Sequence, residues 1–293
     1  VQQPFDDEET GPNPWDIGHD IGWGWTRNAI ATLLISGFVR SPSGIPIGLR
    51  AQSWEVLEPL TTDPNPRPGS ENGTRDPYQL VINTTRGEAM NAVVRYALWV
   101  RQQVVSDDQS RTSFSIVPEA QIVLDHHLDP ANDPSLAIRS VYGHWFPWLT
   151  LIDREWAGQN ASTIFPLDDE SHDFWRAAWF TYLLFCSAYD KGLDLLIPQY
   201  QCGIQRLSML DRSEGRERRV GQHLAAHLMS FYWRGKLDEP PTKVLVDEFW
   251  EMAPPEVRAD AMDFVGRSLS RATGEAEQAV LGRIMRLWEQ RLE

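Results

Sequence analysis

The stretch INTTRGEAMNAVVRYALWVRQQVV, residues 82–105, indicates the fold class of the chain. Its apolar residues recur at the spacing of one face of an α-helix, in a stripe made of Ala89, Val93, Ala97, Val100 and Val104. Thr85 and Glu88 stand at the spacing of a capping box, which would satisfy backbone N–H groups at the start of the helix. We therefore predict a long, amphipathic helix that begins near Thr85.

Helical periodicity continues on both sides of this stretch. We predict further helices at 23–39, 47–57, 118–128, 135–153, 170–188, 191–212, 216–235, 241–252, 255–271 and 274–292. Pro59 should end one helix and Pro118 should begin another, because proline lacks the backbone N–H of a helix interior. Gly143 and Pro147 are expected to interrupt the helix at 135–153. Convincing strands are scarce, so the sequence predicts an all-α fold.

Two segments lack this periodicity. Residues 1–22 are acidic and rich in glycine and proline, which predicts an irregular arm or a linker. Residues 61–82 are expected to form a long Pro/Gly-rich loop, the best candidate for an internal boundary or a binding loop. Residues 23–293 then form a helical repeat domain. Because the chain begins at Val1 rather than at Met, we expect it to be part of a longer protein.

Two helix–turn–helix segments have a common pattern. In LDPANDPSLAIRSVYG (128–143), Ile138-Arg139 follows a proline-rich turn, and in APPEVRADAMDFVGRSL (253–269) Val257-Arg258 takes the same place. This pattern resembles a HEAT-type repeat, in which pairs of helices stack into a superhelix. The sequence therefore predicts an α-solenoid of HEAT-like helix pairs, with a compact helical domain as the alternative.

The overall composition disfavours several classes of partner. The chain has 293 residues with 27 Lys and Arg against 41 Asp and Glu, a net charge of −14, which disfavours binding to nucleic-acid phosphates. No window approaches the roughly 18 uncharged apolar residues of a membrane span. The two cysteines, Cys186 and Cys202, are too few for a disulfide framework or a cysteine-based zinc site. We expect buried free thiols and a cytoplasmic location.

The stretch QIVLDHHLD, residues 121–129, contains the motif Asp125-His126-His127. A carboxylate and two imidazoles could bind a divalent metal that activates water, as in the DHH phosphoesterases. The surrounding residues favour a helix instead of the strand that carries the motif in that family. Pro118 opens the segment, and an apolar face follows it, made of Ala120, Val123, Leu124 and Leu128. We therefore expect these three polar residues to have a structural role.

His223 and His227, in QHLAAHL, have the spacing of the zinc-binding histidines of HExxH proteases. The general-base glutamate of that motif is replaced by Leu224. Searches for a nucleotide-binding loop and for a nucleophile elbow also fail. The sequence thus predicts no catalytic residue, no cofactor and no metal site, although a metal-dependent hydrolase that uses either histidine cluster is the alternative.

The segment RSEGRERR, residues 212–219, is the one local positive patch. On a chain with net charge −14 we expect it to lie in a turn between helices and to pair with acidic side chains. The less favoured alternative is that the segment binds a phosphate or an acidic partner. Binding of nucleic acid is not expected.

Four segments together resemble the helical C-terminal region of very large bacterial proteins that are associated with anti-phage defence. They are INTTRGEAMNAVVRYALWV (82–100), DPSLAIRSVYGHWFPWLTLID (133–153), HLMSFYWRGKL (227–237) and APPEVRADAMDFVGRSL (253–269). Those proteins carry an N-terminal enzymatic module, such as a sirtuin-like domain or a STAND-type NTPase domain. The resemblance implies a superhelical array that senses, binds or oligomerises while the enzyme lies elsewhere, and it supplies no functional residues.

These observations predict a non-catalytic interaction or sensor scaffold. It would bind a protein partner, or other domains of the same chain, on a superhelical surface. The chain contains 13 tryptophans, most of which we expect to pack between helices. The aromatic residues Trp145, Phe146 and Trp148 are the predicted anchors of the partner, because rigid aromatic side chains dominate the energetics of many interfaces.

Overall fold

The computed structural model describes residues 23–67, 71, 76–104, 112–210, 215–269, 282, 283 and 285. These residues form α-helices and short 3-10 helices and contain no β-strand. The all-α prediction is therefore confirmed for the described part of the chain. The predicted arm at 1–22 lies outside the described residues, and the predicted helix at 274–292 lies largely outside them.

Twelve α-helices follow one another along the described chain. The first six are α1 (Trp23–Gly37), α2 (Arg50–Thr61), α3 (Pro77–Ile82), α4 (Thr85–Val104), α5 (Pro118–Leu128) and α6 (Leu136–Ile152). The other six are α7 (Arg154–Ile164), α8 (His172–Phe185), α9 (Ile197–Gln205), α10 (Gly215–Trp233), α11 (Lys243–Met252) and α12 (Pro255–Leu269). Short 3-10 helices lie at Ile47–Leu49, Phe114–Ile116, Asp190–Gly192, Asp194–Leu196 and Arg206–Met209.

The even-numbered helices pack on one another in chain order. α2 packs on α4, α4 on α6, α6 on α8, α8 on α10 and α10 on α12, and the contact between α6 and α8 is the most extensive. The remaining helices pack against the sides of this series: α1, α3 and α5 contact α4, while α7 contacts α6. The apolar side chains form one continuous cluster that runs from α1 to α12.

α4 is the central helix of the first half. From Thr85 to Arg101 it is buried everywhere except at Arg86, Glu88 and Arg95. The predicted apolar stripe lies in the core except at Val104, which is exposed, and up to Arg101 burial extends round the helix because α1, α2, α3, α5 and α6 all contact it. Between Thr85 and Arg101 the accessible side chains of α4 are therefore charged, whereas Gln102, Gln103 and Val104 at its end are exposed.

The capping box predicted at the start of α4 is absent. Thr85 is the first helical residue, and its hydroxyl donates a hydrogen bond to the carbonyl of Gly24 (3.3 Å). The Thr84 hydroxyl donates to the carbonyl of Leu80 (2.7 Å). Both hydroxyls are thus used by the chain that precedes α4, and that competition was not visible in the local sequence.

The expected interruption of the helix at 135–153 is wrong, because α6 is continuous. A Cβ atom on Gly143 would lie 2.0 Å from the carbonyl oxygen of Ala178, so the glycine allows α6 and α8 to approach closely. Pro147 has no N–H to donate to the carbonyl four residues earlier, that of Gly143. The thiol of Cys186 lies within hydrogen-bonding reach of this freed carbonyl (3.8 Å) and of the His144 carbonyl (3.0 Å).

Three other expectations about elements were wrong. The helix predicted to end at Pro59 continues to Thr61, because a proline in the last turn removes only one backbone hydrogen bond. α7 was not predicted, since its exposed face is polar and its apolar residues are few. The helix predicted at 191–212 is divided into two 3-10 helices, α9 and a third 3-10 helix.

The segment predicted as a loop at 61–82 ends in α3, and its described residues are attached to the helices. The guanidinium of Arg86 donates hydrogen bonds to the carbonyls of Asp63 and Pro66, both at 2.9 Å. The carboxylate of Glu71 caps the start of α6, accepting hydrogen bonds from the Ser135 hydroxyl (2.5 Å) and from two backbone N–H groups. The described part of this segment therefore contributes to the packing of α4 and α6.

Arginine side chains near the start of α6 and of α12 contact the helix that precedes each of them. Arg139 donates to the carbonyl of Leu128, the last residue of α5, at 2.8 Å. Arg258 donates to the carbonyl of Trp250, near the end of α11, at 3.4 Å. The apolar residue directly before each arginine is buried. The two segments that resemble each other in sequence thus also have the same local contact.

None of the helices within the described residues has the length and apolar character that crossing a bilayer would require.

Candidate functional site

Asp125, His126 and His127 lie on the last turns of α5, as the helical periodicity predicted. Asp125 accepts a hydrogen bond from the indole N–H of Trp156 (2.7 Å). The ring of His126 is exposed and stands edge-on to the ring of His127, with the centroids 5.0 Å apart. The helix does not direct the three side chains to one common point, because each has a different neighbour.

His127 is buried beside the turn that connects α5 to α6. Its Nδ1 atom lies 2.8 Å from a carboxylate oxygen of Asp133, and the Nε atom of Arg86 lies 3.3 Å from the same oxygen. Asp133 also accepts a hydrogen bond from the backbone N–H of Ser135 (3.2 Å). This set connects α4, α5 and the start of α6, and its geometry is that of a structural cluster.

His227 is fully engaged in the interior. Its Nε2–H donates to the carbonyl of Cys186 (2.8 Å), so its Nδ1 accepts from the hydroxyl of Tyr200 (2.8 Å). Burial lowers the pKa of His227 to about 4, so the imidazole is neutral at pH 7. Metal binding at either nitrogen would break one of these hydrogen bonds. His223, one turn earlier, is half-buried, and desolvation also lowers its pKa.

Within the described residues, no group of three His, Cys, Asp or Glu side chains is placed to hold a metal ion. Both cysteines are free thiols, and Cys186 is buried as predicted, whereas Cys202 is only partly buried. Burial raises the pKa of the Cys186 thiol, which keeps it protonated.

The basic segment at 212–219 is described from residue 215, where it forms the start of α10. Arg216 forms an ion pair with Asp76 (3.0 Å), and Glu217 forms one with Arg176 (2.6 Å). The Arg216 contact agrees with the expectation that the segment pairs with acidic side chains, but residues 215–219 lie in a helix and not in the expected turn, because the helical periodicity of α10 begins at Gly215. Residues 212–214 lie outside the described part of the chain.

An open cavity of about 1010 Å³ lies between the end of α6, the start of α7 and residues 189–195. Several of its charged groups are held in structural contacts: Arg154 pairs with Asp194, and Asp190 pairs with Arg234. The carboxylate of Asp153 caps α7. These charged groups therefore serve the packing around the cavity.

The predicted anchors Trp145, Phe146 and Trp148 do not lie on the surface together. Trp145 and Phe146 are buried in the core of α6, so this part of the prediction was wrong. They face the interior because α6 is surrounded by α3, α4, α7 and α8. Trp148 is 37% exposed and is the only one of the three that solvent reaches to a substantial degree.

Trp148 belongs to a surface cluster that we call the aromatic patch, made of Tyr78, His144, Trp148 and Phe185. The ring of His144 stacks on Tyr78 (centroids 4.9 Å apart) and lies nearly parallel to Trp148 (6.4 Å, interplanar angle 15°). Phe185 contacts Tyr78 (4.7 Å) and His144 (5.8 Å), and is 44% exposed. Three helices, α3, α6 and α8, therefore contribute rings to one surface.

The aromatic patch rests on a rigid base. The buried ring of Trp145 contacts both His144 and Trp148, with ring centroids 5.0 and 5.4 Å away. Its indole N–H donates to the side-chain oxygen of Asn91 on α4 (2.8 Å). The guanidinium of Arg95 lies 5.6 Å from the Trp145 ring centroid, a cation–π distance. The exposed rings are thus fixed by buried neighbours before any partner binds.

His144 is the polar centre of the aromatic patch. Burial, together with the nearby charge of Arg95, lowers its pKa to about 4. Its Nδ1 atom has no hydrogen-bond partner among the described residues. At pH 7 the imidazole is therefore a neutral ring that stacks like an aromatic side chain.

Tyr78, His144 and Phe185 are not predicted from the sequence as parts of a site. His144 could have been found, because it lies one helical turn before Trp148 and so on the same face. Tyr78 and Phe185 carry no local signal, since they come from the end of the 61–82 segment and from the last residue of α8. Only the packing of α3 and α8 against α6 brings them to Trp148.

Comparisons with protein-family models, with curated proteins and with solved structures find no match to this chain. The case for a functional site therefore depends on the chain's own geometry, and the resemblance to bacterial defence proteins stays a prediction.

Proposed function

We propose that this chain is a non-catalytic helical scaffold that binds a protein partner at the aromatic patch. The observation that supports it most is the exposure of Trp148 and Phe185 above a stack of rigid rings. Large aromatic rings at a protein surface are typical of the anchor positions of interfaces.

The fixed geometry of the patch favours binding. Side chains that are ordered before association lose little conformational entropy when a partner arrives. Trp148 and His144 are held by Trp145, whose own position is fixed by Asn91. A partner could therefore bury the exposed ring faces without ordering them first.

We further propose that the helices form an α-solenoid of HEAT-like pairs. The ordered packing of α2, α4, α6, α8, α10 and α12 is what stacked helix pairs would produce. The matching contacts of Arg139 and Arg258 support a repeated unit. In this proposal the chain is the binding or sensing part of a larger cytoplasmic bacterial protein with a role in defence, and an enzymatic module lies elsewhere in that protein.

No specific observation favours the alternative of a metal-dependent hydrolase. The side chains of Asp125 and His127 and both ring nitrogens of His227 are held by hydrogen bonds to neighbouring residues. Arg216 and Glu217 of the basic segment likewise have partners within the fold, whereas Arg218 and Arg219 are exposed, and on a chain of net charge −14 we do not propose binding of nucleic acid.

Co-purification with a tagged full chain tests the proposed function. Trp148→Asp places a charge in the aromatic patch, while Trp25→Asp changes an exposed tryptophan of α1 that lies outside it. We expect the wild type and Trp25→Asp to retain the same bound protein, and Trp148→Asp to lose it. Circular dichroism must show that both variants are folded. Equal recovery of that protein with Trp148→Asp would contradict the proposal.

A further inference from the structure

We infer that the segment bound at the aromatic patch is an amphipathic helix with one basic and one acidic residue seven positions apart. This helix would lie over the aromatic patch, parallel to the axis of α4, with apolar side chains between its two charges packed on Trp148 and Phe185. The inference depends on the proposed function, because it names the chemistry of the partner at the same surface.

Two charged residues of α4 flank the patch. Glu88 and Arg95 are half-buried and lie on the same face of the helix, seven residues and about 10.5 Å apart along its axis. Neither forms a salt bridge with any residue that the structure describes, although Glu88 is hydrogen-bonded to Asn91. The two charges are of opposite sign and too distant to neutralise one another.

Each of the two charges lies near a different ring, Glu88 near Tyr78 and Arg95 near Trp145. Glu88 is close enough to Tyr78 to contribute to the raised pKa of that phenol, whereas Arg95 contributes to the lowered pKa of His144. The Arg95 guanidinium also lies over the ring of Trp145. On α4, Asn91 lies between the two charges and accepts the hydrogen bond of the Trp145 indole, so the base of the aromatic patch sits between the Glu88 carboxylate and the Arg95 guanidinium.

A helix fits this arrangement better than an extended segment. The described chain has no strand, so it offers no sheet edge to which a peptide could add. The patch instead lies beside the contact of α4 with α6, and helices in this molecule pack on one another throughout. On a partner helix, residues i and i+7 are separated by the same two turns as Glu88 and Arg95, and residues i+3 and i+4 lie between them.

The charge pattern follows from complementarity. Half-buried charges interact more strongly with a partner than charges in bulk water do, since local screening is weaker. A purely acidic helix would meet Glu88 and a chain of net charge −14, and a purely basic one would meet Arg95. A helix with one charge of each sign at this spacing can pair with both Glu88 and Arg95 in one of its two orientations.

Three synthetic peptides of about 20 residues, long enough to form a helix, test the inference. They share an alanine-rich sequence with leucines at i+3 and i+4, and carry Lys/Glu, Lys/Lys or Glu/Glu at i and i+7. Binding of each labelled peptide to the full chain is measured by fluorescence anisotropy at 0.15 M salt. We expect the Lys/Glu peptide to bind about fivefold more tightly than either of the others.

Charge reversal on α4 supplies the matched variants. With Glu88→Lys the Glu/Glu peptide should become the tightest ligand, and with Arg95→Glu the Lys/Lys peptide should. Trp148→Ala should weaken binding of all three. If the three peptides bind the wild type equally well and Trp148→Ala weakens them all, the inference is overturned while the proposed function stands.

Other results would also overturn the inference. A Lys/Glu peptide with a central proline that binds as tightly as its parent would show that the occupant is extended. A dimer in sedimentation velocity that Trp148→Asp converts to monomer would show that a second copy covers the patch. If no peptide binds, a mixed-charge helix is not the ligand, and co-purification with Trp148→Asp decides the proposed function separately.

Discussion

The hydroxyl of Tyr200 lies 2.8 Å from Nδ1 of His227, and both side chains are buried. The Tyr200 oxygen is also 3.1 Å from the hydroxyl of Tyr182, and the His227 Nε2–H donates to the carbonyl of Cys186. This chain of hydrogen bonds joins α8, α9 and α10 and leaves none of its polar groups unpaired. A buried network of this kind stabilises one arrangement of the three helices, because any other arrangement would leave some of its buried polar atoms without hydrogen-bond partners.

Tyr200→Phe should therefore destabilise the fold. The substitution removes the donor to His227 and the acceptor for Tyr182, which leaves two buried polar groups without partners. We expect the free energy of unfolding to fall by about 1–3 kcal/mol in urea titrations. Tyr189→Phe is the control, because Tyr189 is only partly buried and should change stability by less than about 0.5 kcal/mol. Equal stability of the two variants would show that the network contributes nothing.

Stability should fall as the pH decreases from 6.5 to 4. The pKa of His227 is lowered from 6.5 to about 4 by burial, so in this range the unfolded chain binds a proton that the folded chain does not. The free energy of unfolding that His227 contributes is thus complete above pH 6.5 and decreases by up to about 3 kcal/mol by pH 4.

The variant His227→Gln isolates this contribution. Because His144 and other groups also titrate, the wild type and the variant are compared by urea unfolding at pH 7, 5.5 and 4.5. We expect the variant to be less stable at pH 7 and to lose less stability on acidification. Parallel pH profiles for the two proteins would contradict the assigned role of His227.

Gly143→Ala should separate α6 from α8. The new Cβ atom would lie 2.0 Å from the Ala178 carbonyl oxygen, and a backbone atom cannot move aside as a flexible side chain can. We expect a loss of about 3 kcal/mol, at the upper end of the usual cost of overpacking, measured by thermal and urea unfolding. Gly266→Ala in α12 has nothing within 4 Å of its Cβ and should stabilise by roughly 0.5–1 kcal/mol. The same sign of effect in both variants would refute this interpretation.

Arg139→Met should be among the more damaging substitutions of a charged residue. The guanidinium is buried and donates to the carbonyls of Leu128 and Thr163, so it connects the ends of α5 and α7 to α6. Methionine fills part of the space but leaves the buried Leu128 carbonyl without this donor, and we expect a loss of about 2–3 kcal/mol by urea unfolding. Arg218→Met, at an exposed position of α10, should be nearly neutral. A neutral Arg139→Met would argue against a structural arginine at this point of the helix pair.

Local signals in the sequence were sufficient for most helices. Pro118 and Pro255 begin α5 and α12 as predicted, because proline is well suited to the first turn. The errors arose where tertiary contacts override local preference. Gly143 and Pro147 suggest a break, yet α8 packs on the glycine and the Cys186 thiol reaches the freed carbonyl. α7 was not predicted, because the helix is short and its apolar residues are few.

The site was harder to predict than the fold. Trp148 is exposed, as predicted for a surface anchor, but Trp145 and Phe146, which were predicted with it, face the core. Adjacent residues on a helix point in directions about 100° apart, so Trp145 and Phe146 cannot share one surface. Tyr78 and Phe185 reach the patch through the packing of α3 and α8 on α6, a long-range relationship that no local pattern reveals.

Photo-crosslinking from the aromatic patch shows directly whether a protein partner binds there. A benzoylphenylalanine replaces Trp148 in one full-length version of the chain and replaces Ile122, an exposed residue of α5 outside the patch, in another. We expect irradiation in cells to join position 148, and not position 122, to one discrete protein that is identified by mass spectrometry. No crosslinked protein at position 148, or the same product from both positions, would contradict the proposed function.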